Sequence, residues 1–188
     1  MVDHRERGLA RGEIVGQVLN FVNDLNKKEK VAPKLPARRE QHWWVPPPDT
    51  VKINSDGAFV QETMKGGWGF VARDHQGEAV IAGAGRIAAV PDVLTAEASA
   101  CAKALQAATD LGISRIQLEM DSSILKQALL MPSLDLAASG MLIRDIRDLL
   151  HEHFVRNNDI ILIPRTCNLV AHELTRLGMS RDRGDSCI

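Results

Sequence analysis

No apolar run in this sequence approaches the roughly 18 residues that a membrane-crossing helix needs, so no membrane span is expected. The opening residues MVDHRERGLARGE contain no apolar core, so they are not expected to be a secretory signal peptide. Cysteine is scarce: Cys101, Cys167 and Cys187 are odd in number and lack metal-ligand spacing. A reduced intracellular setting, nuclear or cytoplasmic, is the expectation. Charge of one sign is also missing. The formal net charge is −1, with residues 1–50 slightly basic and the remainder slightly acidic. The molecule as a whole exerts no long-range pull on nucleic acid or membrane, and any grip on nucleic acid must come from a local site or from metal ions. Tyrosine is absent, and no functional reading attaches to that.

What remains is ordinary for a folded protein. Of 188 residues, 45% are hydrophobic and 25% charged, enough for one domain plus an extension. Residues 12–26, GEIVGQVLNFVNDLN, place Ile14, Val18, Phe21, Val22 and Leu25 on one helical face, which packs on the domain or binds a protein partner. The following Lys-, Arg- and Pro-rich stretch through PPPDT reads as an extended linker. Within it, Trp43 and Trp44 either stack on bases or anchor the linker against an apolar surface. The organisation is therefore an N-terminal helix and linker over 1–50, a domain over 51–178 and a tail over 179–188.

Inside the domain, three strands come first: TVKINSDGAF, then WGFVARD and AVIAGAGRI joined by the turn HQGE. Helix LTAEASACAKALQAATDLG follows, with Leu94, Ala98, Cys101, Leu105 and Ala108 on one face and Gly112 as its stop. Strand RIQLEM leads to helix SSILKQALLM, closed by Pro132. Helix GMLIRDIRDLLHEHF, strand DIILIPR and helix NLVAHELTRLG, capped by Asn168, complete the series. This order predicts an α/β fold. Strands one to three run antiparallel, strands one, four and five run parallel, and helices cover both faces.

In VKINSDGAF, Val51, Ile53 and Ser55 alternate with Lys52, Asn54 and Asp56, and an aspartate in a strand must face water or a partner. Asp56 ends strand one and Asp121 follows strand four. Parallel neighbours would set them side by side at the carboxyl ends of their strands. Glu97, near the start of the long helix, could reach the same point. Three carboxylates there repel unless they share protons or bind cations, and such oxygen ligands suit Mg²⁺ or Mn²⁺. Taken singly, each has a plain structural role: a turn aspartate, a cap at Asp121, a glutamate favoured by the helix dipole at Glu97.

The stretches NSDGAF, GGWGFVARD, TAEASACAKAL, LEMDSSILKQAL and IPRTCNLVAHEL, in that order, resemble ribonuclease H type 1. The sequence is more closely similar to the plant ribonuclease H-like domain found at the C-terminus of non-LTR retrotransposon reverse transcriptases, and WWVPPPDTVKINSDG resembles its lead-in. The resemblance covers roughly residues 43–178. It implies an endonuclease that hydrolyses the RNA strand of an RNA–DNA hybrid with two divalent ions, Mg²⁺ or Mn²⁺. One ion generates the attacking hydroxide and the other stabilises the leaving 3′-oxygen. It further implies that Asp56 bridges the ions and that Glu97 and Asp121 complete their shell. Gly57, Gly66 and Gly67 would admit the nucleic-acid backbone, while Ser122, Ser123, Arg165 and Asn168 would contact the nucleic acid.

The sequence departs from that family at three points. A fourth carboxylate is expected in the last helix, where NLVAHE places His172, on a polar stripe with Asn168 and Arg176. Imidazole favours softer metals than Mg²⁺, so His172 is expected to support a metal or water with a bias towards Mn²⁺. IPRTCN is too short for a mobile histidine loop, and GMLIRDIRDLLHEHF supplies no basic grip for the hybrid. These departures favour a second reading, a catalytically weak descendant serving as a nucleic-acid or protein interaction module. A third, an exonuclease or transposase on the same fold, fits poorly. Asp56 is not followed by the D-x-E acid of the exonucleases, and Glu97 precedes rather than follows Asp121.

Overall fold

The computed structural model describes residues 20, 22–24, 43–131, 139–155 and 159–180. Most of the expected helix over 12–26, the linker before Trp43, Pro132 and the tail beyond Ser180 lie outside the described residues. Five strands, β1 (Val51–Val60), β2 (Lys65–Arg73), β3 (Ala79–Ile87), β4 (Ile116–Met120) and β5 (Asp159–Leu162), form one sheet in the order β3-β2-β1-β4-β5. β1–β2 and β2–β3 pair antiparallel, while β1–β4 and β4–β5 pair parallel. With the sheet go helices α1 (Val93–Asp110), α2 (Ser123–Leu130), α3 (Gly140–His153) and α4 (Leu169–Met179), and residues 20 and 22–24 are also helical.

The two faces differ in character. On one, α1 to α3 cover Ile53, Phe70, Leu118 and Met120 to form the larger core. α1 is buried over more than the expected apolar face, because Ala96, Ala100, Ala104 and Ala107 are buried along with Ala98, Cys101, Leu105 and Ala108. Asp92 starts the helix by accepting from the Thr95 amide at 2.7 Å, and Gly112, at φ 70°, stops it. Arg147 of α3 clasps the C-terminus of α2, donating to the carbonyls of Ala128, Leu129 and Met131. A cation there satisfies orphan carbonyls and complements the helix dipole. On the other face, α4 lies over β2 and β1, and Val22 is buried with Val71, Ala82, Ala84, Val170 and Leu174.

β2 begins three residues earlier than the sequence pattern predicts, at Lys65. Gly66 and Gly67 read as a break, yet they pair with Phe59 and Ala58. A side chain on Gly67 would meet Met179 at 2.4 Å and the Thr175 carbonyl at 2.9 Å; on Gly66 it would meet the Ala58 carbonyl at 2.5 Å. Gly57 is tighter still, since its Cβ would sit 2.3 Å from the backbone of Ala96. These are the three glycines expected to admit the nucleic-acid backbone. The space they leave is filled by protein, and at Gly57 it lets α1 press directly on β1.

Candidate metal centre

β1 carries Asp56 and α1 carries Glu97, and the Gly57 contact fixes their separation. The Gly57 amide donates to Glu97 Oε2 at 3.0 Å, which points the carboxylate back at the strand. Asp121 stands just past the end of β4, the parallel neighbour of β1. One oxygen from each of Asp56, Glu97 and Asp121 can be chosen so that all lie within 4.8 Å of one another. Asp56 and Glu97 are buried and Asp121 is half-buried. Burial raises the Asp56 carboxyl above its ordinary range; the charge of Asp121 adds to this, while hydrogen bonding lowers it. Glu97 is pushed up to about 8, by burial first and then by the charges of Asp56 and Asp121. Three hard oxygen donors whose charges are strained in one another's company fit a divalent cation such as Mg²⁺ or Mn²⁺.

The last helix completes the surroundings. His172 Nδ1 lies 3.2 Å from Asp56 Oδ2 and 3.2 Å from Arg165 Nη2. One ring nitrogen cannot serve both as hydrogen-bond partner in the same role. Protonated at Nδ1, the ring donates to Asp56; unprotonated, it accepts from Arg165 and the Asp56 contact needs a proton on the carboxyl. Arg165 belongs to a 3₁₀ turn, Arg165–Cys167, between β5 and α4. Arg176, on the same predicted stripe, instead pairs with Glu173 at 3.1 Å on the surface.

Asn168 departs from expectation. It precedes α4, but its side chain makes no cap. It is buried, and its Nδ2 donates to the Ser55 carbonyl at 2.9 Å and to Asp121 Oδ1 at 3.0 Å, so the amide ties β1, β4 and α4 together at the site. Ser122 caps α2 through the Leu125 amide at 3.3 Å, and Ser123 is exposed beside it. Sequence reasoning missed Thr175, whose hydroxyl donates to the Asp56 carbonyl at 2.7 Å. A fully buried threonine on an otherwise apolar helix face was the available signal.

Trp43 and Trp44 separate in role. Trp43 Nε1 donates to Asn54 Oδ1 at 3.3 Å, and its ring lies against Lys52 and Arg73, so it is an anchor. Trp44 is 71% exposed. Both line a groove of about 470 Å³ with Lys52, Glu119, Ile161 and Cys167. None of the three converging carboxylates lines it.

The strand order and the carboxylates on neighbouring parallel strands define a ribonuclease H-like domain, and solved structures agree. Ribonuclease H1 of Halobacterium salinarum matches over 69% of this chain and 96% of its own, with 25% identity and a TM-score of 0.58. The N-terminal RNase H domain of a Mycobacterium tuberculosis protein matches over 69% and 93%, with 20% identity and a TM-score of 0.62. LC11-RNase H1, isolated from compost and crystallised in complex with an RNA/DNA hybrid, matches over 69% and 96%, with 22% identity and a TM-score of 0.61. The chain belongs to the family described as reverse transcriptase-like, whose model matches residues 54–178. No curated protein matches the sequence.

Proposed function

We propose that this protein is an RNA–DNA hybrid endoribonuclease, a hydrolase that cuts the RNA strand with two divalent cations, Mg²⁺ or Mn²⁺, held by Asp56, Glu97 and Asp121. The observation that carries the reading is the convergence of these three carboxylates where Asp56, inside β1 and not at its end as expected, meets the carboxyl end of the parallel neighbour β4. A scaffold without a cation has no physical need for that arrangement, which leaves Glu97 protonated up to about pH 8. When bound, the cations would supply Lewis-acid polarisation of water and of the leaving 3′-oxygen. In this reading Arg165, which is exposed beside His172, would meet a phosphate, and Ser122 and Ser123 would meet sugar or phosphate. Asn168 orients Asp121 through its amide. His172 supports the centre in place of a fourth carboxylate, with activity biased towards Mn²⁺. The plant retrotransposon branch of the family and an intracellular setting, nuclear or cytoplasmic, are part of this reading.

The test is cleavage of an end-labelled hybrid with Mg²⁺ and separately with Mn²⁺, beside Asp56→Asn. The expected result is loss of the RNA strand alone, reduced at least about 100-fold in the variant. Equal rates with the two metals, unchanged by His172→Ala, would remove the role given to His172. One observation favours a second reading, an interaction module without catalysis: His172 already lies against Asp56, with Arg165 against His172. Folded protein that binds hybrid and cleaves with neither metal would establish that alternative.

A further inference from the structure

Directly behind the carboxylates, on the α4 face of the sheet, lies a polar cluster that the proposed reaction does not use. Lys52, Asn54 and Glu119 are all buried, at 3%, 1% and 5% exposure. Lys52 Nζ is 2.7 Å from Glu119 Oε1, and Asn54 Nδ2 donates to Glu119 Oε2 at 2.9 Å. Asn54 and Glu119 are register partners in the parallel β1–β4 ladder. Strand periodicity puts Asn54 two residues behind Asp56 on the same face, and Glu119 stands two residues behind Asp121.

The cluster is closed from outside by the segment that precedes β1. Trp43 Nε1 donates to Asn54 Oδ1, and Lys52 Nζ also donates to the Trp44 carbonyl at 2.6 Å. The Trp43 ring sits 5.1 Å from Lys52 Nζ and 4.7 Å from Arg73 Cζ, a double cation contact that holds the indole flat against the sheet.

A buried ion pair adds little net stability over apolar side chains of the same size, so stability alone does not account for three such residues. Register does. A one-residue slip of β4 against β1 would turn Glu119 to the opposite face, leave Lys52 and Asn54 buried without partners, and carry Asp121 away from Asp56. We propose that Lys52, Asn54 and Glu119 are positioning residues that hold β1 and β4 in the register bringing Asp56 and Asp121 to one cation, and that Trp43 closes this cluster, so that the functional unit begins at Trp43. The inference deepens the proposed function and rests on the carboxylates being a cation site.

The experiment compares the full chain with the triple variant Lys52→Met, Asn54→Leu, Glu119→Met, which removes the buried ion pair and its amide partner together. Mn²⁺ binding is measured by calorimetry, alongside circular dichroism and hybrid cleavage. The expected outcome is a folded variant with Mn²⁺ affinity at least about tenfold weaker, kcat lower by a similar factor and KM within about twofold. A folded variant with wild-type Mn²⁺ affinity overturns the proposal. If the triple variant does not fold, Trp43→Phe decides. It keeps the ring and loses the donor to Asn54, so about threefold weaker Mn²⁺ binding supports the claim and wild-type binding sinks it. Wild-type protein that binds Mn²⁺ without cutting hybrid removes the nuclease reading and leaves this comparison intact. Wild-type protein that binds no Mn²⁺ removes both.

Discussion

Glu97 sets the pH behaviour of the metal-free protein. Its carboxyl holds a proton up to about pH 8 in the folded chain, whereas an ordinary glutamate releases it near 4.5. Between those values folding takes up a proton, so this group's contribution to stability declines as pH rises through the window. The cost is absent below the window and complete above it. Asp56 is shifted in the same direction. In chelator, wild-type protein should therefore lose melting temperature from pH 5 to pH 8. Glu97→Gln should flatten that decline and melt about 2–4 °C higher at pH 8, for a gain of about 1 kcal/mol. Identical melting curves for the two proteins at pH 8 would mean that the carboxyl carries no strain. Glu97 and Asp121 were legible in the sequence because each stands near a helix start or strand end, and Asp56 because an aspartate interrupts a strand pattern, although β1 runs on past it to Val60. The part played by Asn168 was not. Its position before α4 reads as a cap, and only the fold brings Ser55 and Asp121 within reach of its amide.

At the scale of elements, α1 presses on β1 at Gly57. Gly57→Ala would drive a methyl group into the Ala96 carbonyl and lift the helix that bears Glu97. A loss of about 1–3 kcal/mol in urea denaturation is expected. A stability within error of wild type would show that the helix can shift freely. Element order and strand direction followed from periodicity and from the strand–helix–strand sequence. Which face of β1 was buried did not. Lys52, Asn54 and Asp56 look like a solvent stripe, yet all three are buried, because the Trp43 segment and α4 cover them. Polar alternation marks one face of a strand without saying whether water or protein lies against it. The early start of β2 was hidden for a related reason. Gly67 lets α4 approach, whereas Gly66 lies against the Ala58 carbonyl of β1 and the Val90 side chain.

At the scale of the whole molecule, a net charge of −1 leaves little to draw in a polyanion. For the proposed hybrid ligand, removing divalent cation should weaken binding more than raising NaCl from about 50 to about 200 mM, because few phosphates are neutralised by Lys and Arg. Fluorescence anisotropy against salt and against chelator separates the two, and a steep salt slope with no chelator effect would contradict the cation-centred site.

The position of β1 also decides where mechanical load falls. The chain enters the sheet at its middle strand, bonded to β2 on one side and β4 on the other. Tension pulled in from Trp43 meets two ladders in shear rather than one peeling edge. A force pulled in through Trp43 thus arrives first at the strand that bears Asp56.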